Sequence, residues 1–340
     1  MPIILEPNLA LNYLKSDEEL HIGPLEISSD RYVICFDTLR QQWPKVEKTL
    51  QAGGIVAVEK TDESVITRWH VIQNYQYNSW IANGRLRFIT GGDSPDSVIN
   101  LNTEHFLAAT IGSQPCGLPL LAYQQRARPY KFLFTNRKVR PHRRYLIYRL
   151  NQEKLLDDAL WCNHEEHSTW YHSDFNVNYT NENIPVQQLP QGYDPKDLPS
   201  WIDGMIVKQQ FLDTWFTLVP ETVFESTASF RTEKFYKPVL AGHPFVICAN
   251  SGFYRDLHNL GFRSFGHLID ESFDVIINGK DRMDRLISTV KWLCQQNLAE
   301  FWNAAKEVCL YNQHRALELH TNQLKTFNQQ LLDFINDTRV

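Results

Sequence analysis

The chain has 340 residues, 43% of them hydrophobic and 21% charged, with a formal net charge of −5 at pH 7. That is globular material sufficient for two cores, and its acidic balance argues against a general nucleic-acid binder. No window approaches the roughly 18 to 20 apolar residues that cross a bilayer, and the opening MPIILEPNLALNYLK lacks the features of a secretory signal, so a cytoplasmic location is expected.

In the first part of the chain, RYVICFD (31–37), GIVAVE (54–59) and LRFIT (86–90) read as strands. QQWPKVEKTLQAG and ESVITRWHVIQNYQYNSWIAN read as the helices between them, an alternation that predicts parallel α/β units. GSQPCGLPLLAYQQRARP reads as a connection, and a boundary near residue 126 follows. A second α/β series comes next, with YKFLFTN (130–136), WFTLVPE (215–221) and PFVICAN (244–250) as strands. RPHRRYLIYRLNQEKLL, TEKFYKPVLAG and SGFYRDLHNLGF are its helices, and residues 163–200 form a polar, irregular insertion. From Asp281 to about Asp337 the pattern is continuously helical, without Pro or Gly. The expected organisation is an N-terminal α/β domain over 1–126, a second α/β domain over 127–285 and a helical segment over 286–340. The 9 Trp, 14 Tyr and 19 Phe are read as core residues, and the six cysteines, which have no paired spacing, as buried reduced thiols.

Charge is distributed unevenly. Between Glu104 and Glu153 there is no acidic residue, whereas Arg126, Arg128, Lys131, Arg137, Lys138, Arg140, Arg143, Arg144 and Arg149 all fall there. Such a segment needs anionic partners, within the fold or in a ligand. In FLFTNRKVRPHRRYLIYRL a strand ends at Asn136, a loop carries Arg137, Lys138 and Arg140, and a helix starts at Pro141, a residue suited to the first helical position. Ligands of α/β domains bind outside the carboxyl ends of strands, so this loop is a candidate phosphate clamp, with a basic surface loop as the alternative. TEKFYKPVLAG reads as a helix capped by Thr232 and ended at Gly242. Glu233 and Lys234 then occupy its first turn, where the dipole disfavours a lysine unless an anion is near. A solvated first turn with Lys234 pointing away is the alternative. CNHEEHSTWYH offers Cys162, His164, His167 and His172, but at no standard zinc spacing, and no metal is assigned. His258 reads as a surface histidine.

FTLVPETVFESTASFRTEKFYKPVLAGHPFVICAN resembles the donor-binding region of α1,3-fucosyltransferase-type GT-B glycosyltransferases. There a Phe-Glu-Asn-like strand end precedes an aromatic-x-Thr-Glu-Lys helix and an Ala-Gly-x-Pro strand. The basic helix upstream is similar to that family's. The same elements, with GFRSF (261–265) and IDESFD (269–274), also resemble uncharacterised phage- and virus-encoded proteins. The resemblance covers roughly 130–285 and implies two Rossmann-like domains facing a cleft, with C-terminal helices. It further implies transfer of a sugar from a nucleotide-diphosphate donor, GDP-linked by preference, to an acceptor hydroxyl on a glycan or another molecule. Carried over, Glu233 would hold the ribose hydroxyls, Lys234 and Arg143 the diphosphate, and Phe230 the aromatic position. Asn136, Arg137 and Glu221 complete the donor-side set. The chain departs from the pattern at Thr222, where the family has Asn, and in a longer interval from Glu221 to Glu233.

The implied chemistry agrees with these residue types. Negative charge develops on a departing diphosphate, and preorganised cations stabilise it. No Asp-x-Asp metal triplet occurs in the sequence, so Lys234 and Arg143 would take the place of a metal, with no cofactor besides the donor. An inverting reaction also needs a carboxylate base, for which Glu59, Asp62, Glu63 and Asp93 in the N-terminal domain are candidates. Two other readings remain open at this stage: a polyanion-binding protein that uses residues 126–149, and an inactive transferase-like binding module.

Overall fold

The computed structural model describes residues 31–60, 75–90, 97–100, 102–114, 126–138, 140–166, 184–193, 204–225 and 229–336. By internal contacts the chain divides into two units, Met1–Ala109 with Glu318–Val340, and Thr110–Leu317. Among the described residues no helix is long and apolar enough to cross a membrane.

The first unit alternates β1 (Arg31–Cys35), α1 (Phe36–Gln51), β2 (Ile55–Lys60), α2 (Tyr75–Ala82), β3 (Leu86–Thr90) and β4 (Ser97–Asn100), and α3 (Asn102–Gly112) follows. Its sheet has the order β1-β2-β3-β4 with every pairing parallel, as short apolar runs separated by helices dictate. Val46 and Leu50 on α1 are buried, as are Ile55 and Val56 on β2. The β3 strand matches the expectation residue for residue, whereas β4 and α3 were not foreseen. The N-terminal half of the expected 63–83 helix lies outside the described residues.

The second unit contains β5 (Tyr130–Lys138), α4 (Pro141–Gln152), β6 (Ala159–Glu166), the short α5 (Lys208–Leu212), β7 (Thr214–Pro220), α6 (Glu233–Leu240), β8 (Phe245–Cys248), α7 (Phe253–Asn259), α8 (Gly279–Leu293) and α9 (Leu298–Asn336). Residues 318–336 of α9 count with the first unit. The sheet order is β6-β5-β7-β8, again parallel throughout. Phe132, Leu133 and Phe134 at the centre of β5 and Phe216, Leu218 and Val219 on β7 are all buried, as the inner strands of a parallel sheet are. Phe132 and Phe216 stack at 5.4 Å between β5 and β7.

Two features of this unit position the candidate site. The chain leaves β5 for β6 in one direction and β7 for β8 in the other, so the order reverses between β5 and β7. In parallel α/β sheets that reversal opens a crevice at the carboxyl ends of the two strands. The second feature is the anchoring of α6. Phe235, Tyr236, Val239 and Leu240 are all fully buried or nearly so, and the Phe235 ring meets Phe245, Phe253 and Phe262 edge-on at 5.5 to 6.0 Å. Burial of side chains of this size is worth about 2 kcal/mol each, enough to fix the helix and turn Glu233, Lys234 and Lys237 to its less buried side. The helix ends at Gly242, whose φ of 63° suits glycine, with His243 N bonded to Pro238 O and Gly242 N to Val239 O.

The stretch expected to be continuously helical from Asp281 is divided into two helices, α8 and α9. Asn297 starts the second by accepting from the backbone N–H groups of Ala299 and Glu300 while its own amide donates to the Glu300 carboxylate. This reciprocal cap restarts the helix where neither Pro nor Gly interrupts the sequence. The β6 strand runs into the start of the segment expected to be irregular. Of the candidate zinc ligands, Cys162 is buried and His164 half-buried on β6, and His167 and His172 lie outside the described residues.

Candidate functional site

Four elements meet at the crevice: the ends of β5 and β7 and the starts of α4 and α6. Pro141 occupies the first turn of α4, and the two residues after it, His142 and Arg143, are turned inward and buried. Thr232 caps α6, its hydroxyl accepting from Lys234 N at 3.3 Å.

Glu221, the residue after β7, ties these pieces together. It is wholly buried, and its carboxylate accepts three hydrogen bonds: Thr222 N to Oε2 at 3.0 Å, Thr232 N to Oε1 at 3.0 Å and Thr232 Oγ1 to Oε2 at 2.9 Å. Burial raises its pKa, opposed by Lys234 and by the hydrogen bonds from Thr232 and Thr222. The Glu221 carbonyl accepts from Arg143 Nε at 3.3 Å and from His142 Nε2 at 3.0 Å. The imidazole is therefore protonated at Nε2, while its buried Nδ1 has no hydrogen-bond partner among the described residues. Burial, with Arg143 adding to it, holds His142 neutral, well below 6.5, and the ring stacks on Phe224 at 5.1 Å.

The two expected phosphate-binding cations converge on one oxygen. Thr222 Oγ1 accepts from Arg143 Nη2 at 3.1 Å and from Lys234 Nζ at 3.4 Å. Arg143 is 2% exposed, whereas the Lys234 side chain is 22% exposed. Lys234 Nζ also donates to Thr232 Oγ1 at 3.1 Å and to Glu233 Oε1 at 2.9 Å. Burial raises the Glu233 pKa, but Lys234 and Lys237 outweigh it and hold the carboxyl at about 2. A buried cation, a half-buried cation and a helix N-terminus thus share one corner of the sheet, an arrangement that can take an anionic ligand.

The other expected donor-side residues are placed differently. Asn136 is buried and donates Nδ2 to Asn163 Oδ1 at 2.8 Å, so its amide serves the β5–β6 pairing. The strand continues through Lys138 rather than ending at Asn136, and Arg137 is exposed near its end. Phe230 is 0% exposed and belongs to the core beneath the site, as does its neighbour Arg231 at 1%. Glu59 sits toward the carboxyl end of β2 in the first unit, and Asp62, Glu63 and Asp93 lie outside the described residues.

Arg282 went unnoticed in the sequence. It donates to the carbonyls of Ala249, Ile276, Ile277 and Phe224, and its guanidinium lies 4.2 Å from the centre of the Phe224 ring. It thereby ties α8 to the loop after β7. Nothing in the spacing of KDRMDR signals this, since these acceptors are main-chain oxygens and the carboxylate it pairs with, Glu225 at 3.7 Å, is remote in sequence.

Much of the basic segment is satisfied internally. Arg128 Nη1 donates to the carbonyls of Phe211, Leu212 and Thr214, and its guanidinium stacks 3.8 Å from the centre of the Trp302 ring. Burial, then the charge of Arg126, lowers its pKa to about 10. Arg126 pairs with Asp213 and Lys131 with Asp158, each at 2.7 Å, and Arg149 pairs with Asp284.

No protein-family model and no curated protein matches the chain. Among solved structures it is similar to a crystal structure of an alpha1,3-fucosyltransferase, at 10% identity and a TM-score of 0.35, over 88% of this chain and 93% of that one. It is also similar to a crystal structure of alpha1,3-fucosyltransferase with GDP, at 11% identity and a TM-score of 0.34, over 93% and 96% of the two chains.

Proposed function

We propose that the protein is a glycosyltransferase of GT-B type that moves a sugar from a nucleotide-diphosphate donor to an acceptor hydroxyl by a metal-independent, inverting reaction. The observation that carries the reading is the meeting of Arg143 and Lys234 on Thr222 Oγ1 at the sheet reversal. Two fixed cations beside a helix N-terminus supply the charge that a leaving diphosphate needs, and an environment low in water makes them stronger. A GDP-linked sugar is the favoured donor because of the Thr232-Glu233-Lys234 resemblance. In this reading Glu233 turns from Lys234 to the ribose hydroxyls when donor binds. The base that deprotonates the acceptor is proposed among Glu59, Asp62, Glu63 and Asp93.

Polyanion binding through residues 126–149 is disfavoured by the internal partners of Arg126, Arg128, Lys131 and Arg149. The test is thermal unfolding with GDP, UDP and ADP added in turn. One nucleotide is expected to raise the melting temperature, an effect lost in Lys234→Met and Arg143→Ala. No response to any of the three in the wild type would overturn the proposal.

A further inference from the structure

Glu221 is wholly buried with all three of its carboxylate bonds made to the protein, so it has no free edge to offer a ligand. Its connections run instead to both cations. One route passes through Thr232, which it holds by the backbone N–H and by the hydroxyl; that same hydroxyl accepts from Lys234 N and Lys234 Nζ. The other passes through Thr222, whose N–H the carboxylate accepts and whose hydroxyl receives Arg143 and Lys234. The main-chain carbonyl of Glu221 adds a direct bond to Arg143. One carboxylate therefore closes the loop between the end of β7 and the cap of α6, and sets where an ammonium and a guanidinium meet.

We infer that Glu221 is a positioning residue that fixes the separation of Arg143 and Lys234 to suit a diphosphate, without touching the ligand itself. The inference rests on the proposed diphosphate site and assigns the part of it that recognises two linked phosphates rather than one. Substitution chemistry separates this role from simple filling of space. Glutamine preserves shape but places an amide N–H against the Thr222 N–H or, in the flipped orientation, against the Thr232 N–H, so one donor faces another. Aspartate keeps the charge but is one methylene short, and cannot reach Thr222 N and Thr232 together. Either change shifts the two cations relative to each other while leaving both present.

The probes are inorganic pyrophosphate and inorganic orthophosphate, titrated calorimetrically well below the melting temperature into the full-length wild type, Glu221→Gln, Glu221→Asp and Lys234→Met. The expected result is about a tenfold loss of pyrophosphate affinity in both Glu221 variants, the size typical of outer-sphere supporting groups, with orthophosphate affinity changed far less. A residue that only supports the fold lowers the melting temperature and leaves this ratio at the wild-type value. An unchanged ratio in Glu221→Asp, with pyrophosphate weakened in Lys234→Met, overturns the positioning role and leaves the diphosphate site standing. Pyrophosphate binding that is absent from the wild type, or untouched by Lys234→Met, overturns the site and the inference together. Should Glu221→Gln not fold, Glu221→Asp decides alone.

Discussion

Replacing Lys234 with methionine keeps the aliphatic stem and the helix propensity of α6 and removes only the ammonium. The consequence falls first on Glu233, whose Oε1 lies 2.9 Å from Lys234 Nζ. Burial raises the Glu233 pKa, and Lys234 with Lys237 brings it down from 4.5 to about 2. A carboxyl depressed in the folded state contributes stability that is fully present above 4.5 and is lost as the pH falls from 4.5 toward 2. The gap is worth about 3 kcal/mol at neutral pH. Lys237 stays in the variant, so Lys234→Met is expected to cost about 2 kcal/mol at pH 7, as the unopposed burial moves Glu233 upward. Urea unfolding of both proteins at pH 7, 5 and 3.5 measures this. The difference in stability should be the same at pH 7 and 5, where Glu233 is ionised in both proteins, and smaller at pH 3.5, where the carboxyl freed from Lys234 begins to take up a proton while the wild-type one, held at about 2, does not. A difference that is the same at all three pH values would refute the electrostatic account and leave Lys234 as a packing residue.

Three further outcomes follow from the structure. Arg128→Ala removes three bonds to buried carbonyls and the stacking on Trp302, and should cost about 3 to 5 kcal/mol in urea unfolding without changing the nucleotide response of the folded protein. Glu271, which accepts from Phe265 N, has a pKa raised to about 7, by burial first and by Asp274 and Asp270 in addition. A raised carboxyl lowers stability as the pH climbs from 4.5 through 7, so Glu271→Gln, which mimics the protonated form, should flatten that limb and gain about 2 kcal/mol at pH 8. Asn297→Ala removes the reciprocal cap of α9 and should cost about 1 kcal/mol, a fall of about 2 to 4 °C in a melting curve.

The parts of the second unit that were legible in the sequence are those whose signals are local. The β7 and β8 strands are short apolar runs, Thr232 and Gly242 bracket α6, and Pro141 opens α4. The β6 strand was missed because its second half, Asn163 to Glu166, is polar. It lies at the sheet edge, where Asn163 is buried because Asn136 and the Gln187 backbone satisfy it. The break before α9 was missed because it is made by a side-chain cap rather than by a helix breaker. Arg143 and Lys234 were legible as basic residues at the starts of their helices, and the structure brings both to Thr222 Oγ1. The organiser of the site was not, since the sequence places Glu221 in the donor-side set, whereas the fold buries it against Thr232, 11 positions ahead. The internal partners of the basic segment were illegible for the same reason: Asp213 lies 87 residues from Arg126, and Asp284 lies 135 residues from Arg149.

The presence of two glutamates beside the two cations of the proposed anion site has an electrostatic explanation. Two unit charges roughly 6 Å apart, as hydrogen bonds from two cations to one oxygen require, repel by about 3 kcal/mol at an effective dielectric constant of about 20. Thr222 Oγ1 cannot offset that repulsion, because a hydroxyl carries no net charge. Glu233 pairs with Lys234 at 2.9 Å, and Glu221 lies beneath both cations through the bonds to Thr222 and Thr232. These carboxyls keep the cations together while no ligand is bound. They differ in what a ligand can do to them. Glu221 is locked by three protein donors, so it stays in place, whereas Glu233 is 16% exposed and held to the site by a neighbouring ammonium. A diphosphate arriving at the proposed site would compete with Glu233 for Lys234 and leave Glu221 untouched. On the proposed reading the cation spacing survives ligand exchange, and Glu233 is the carboxyl that would be released to bind elsewhere on the same ligand.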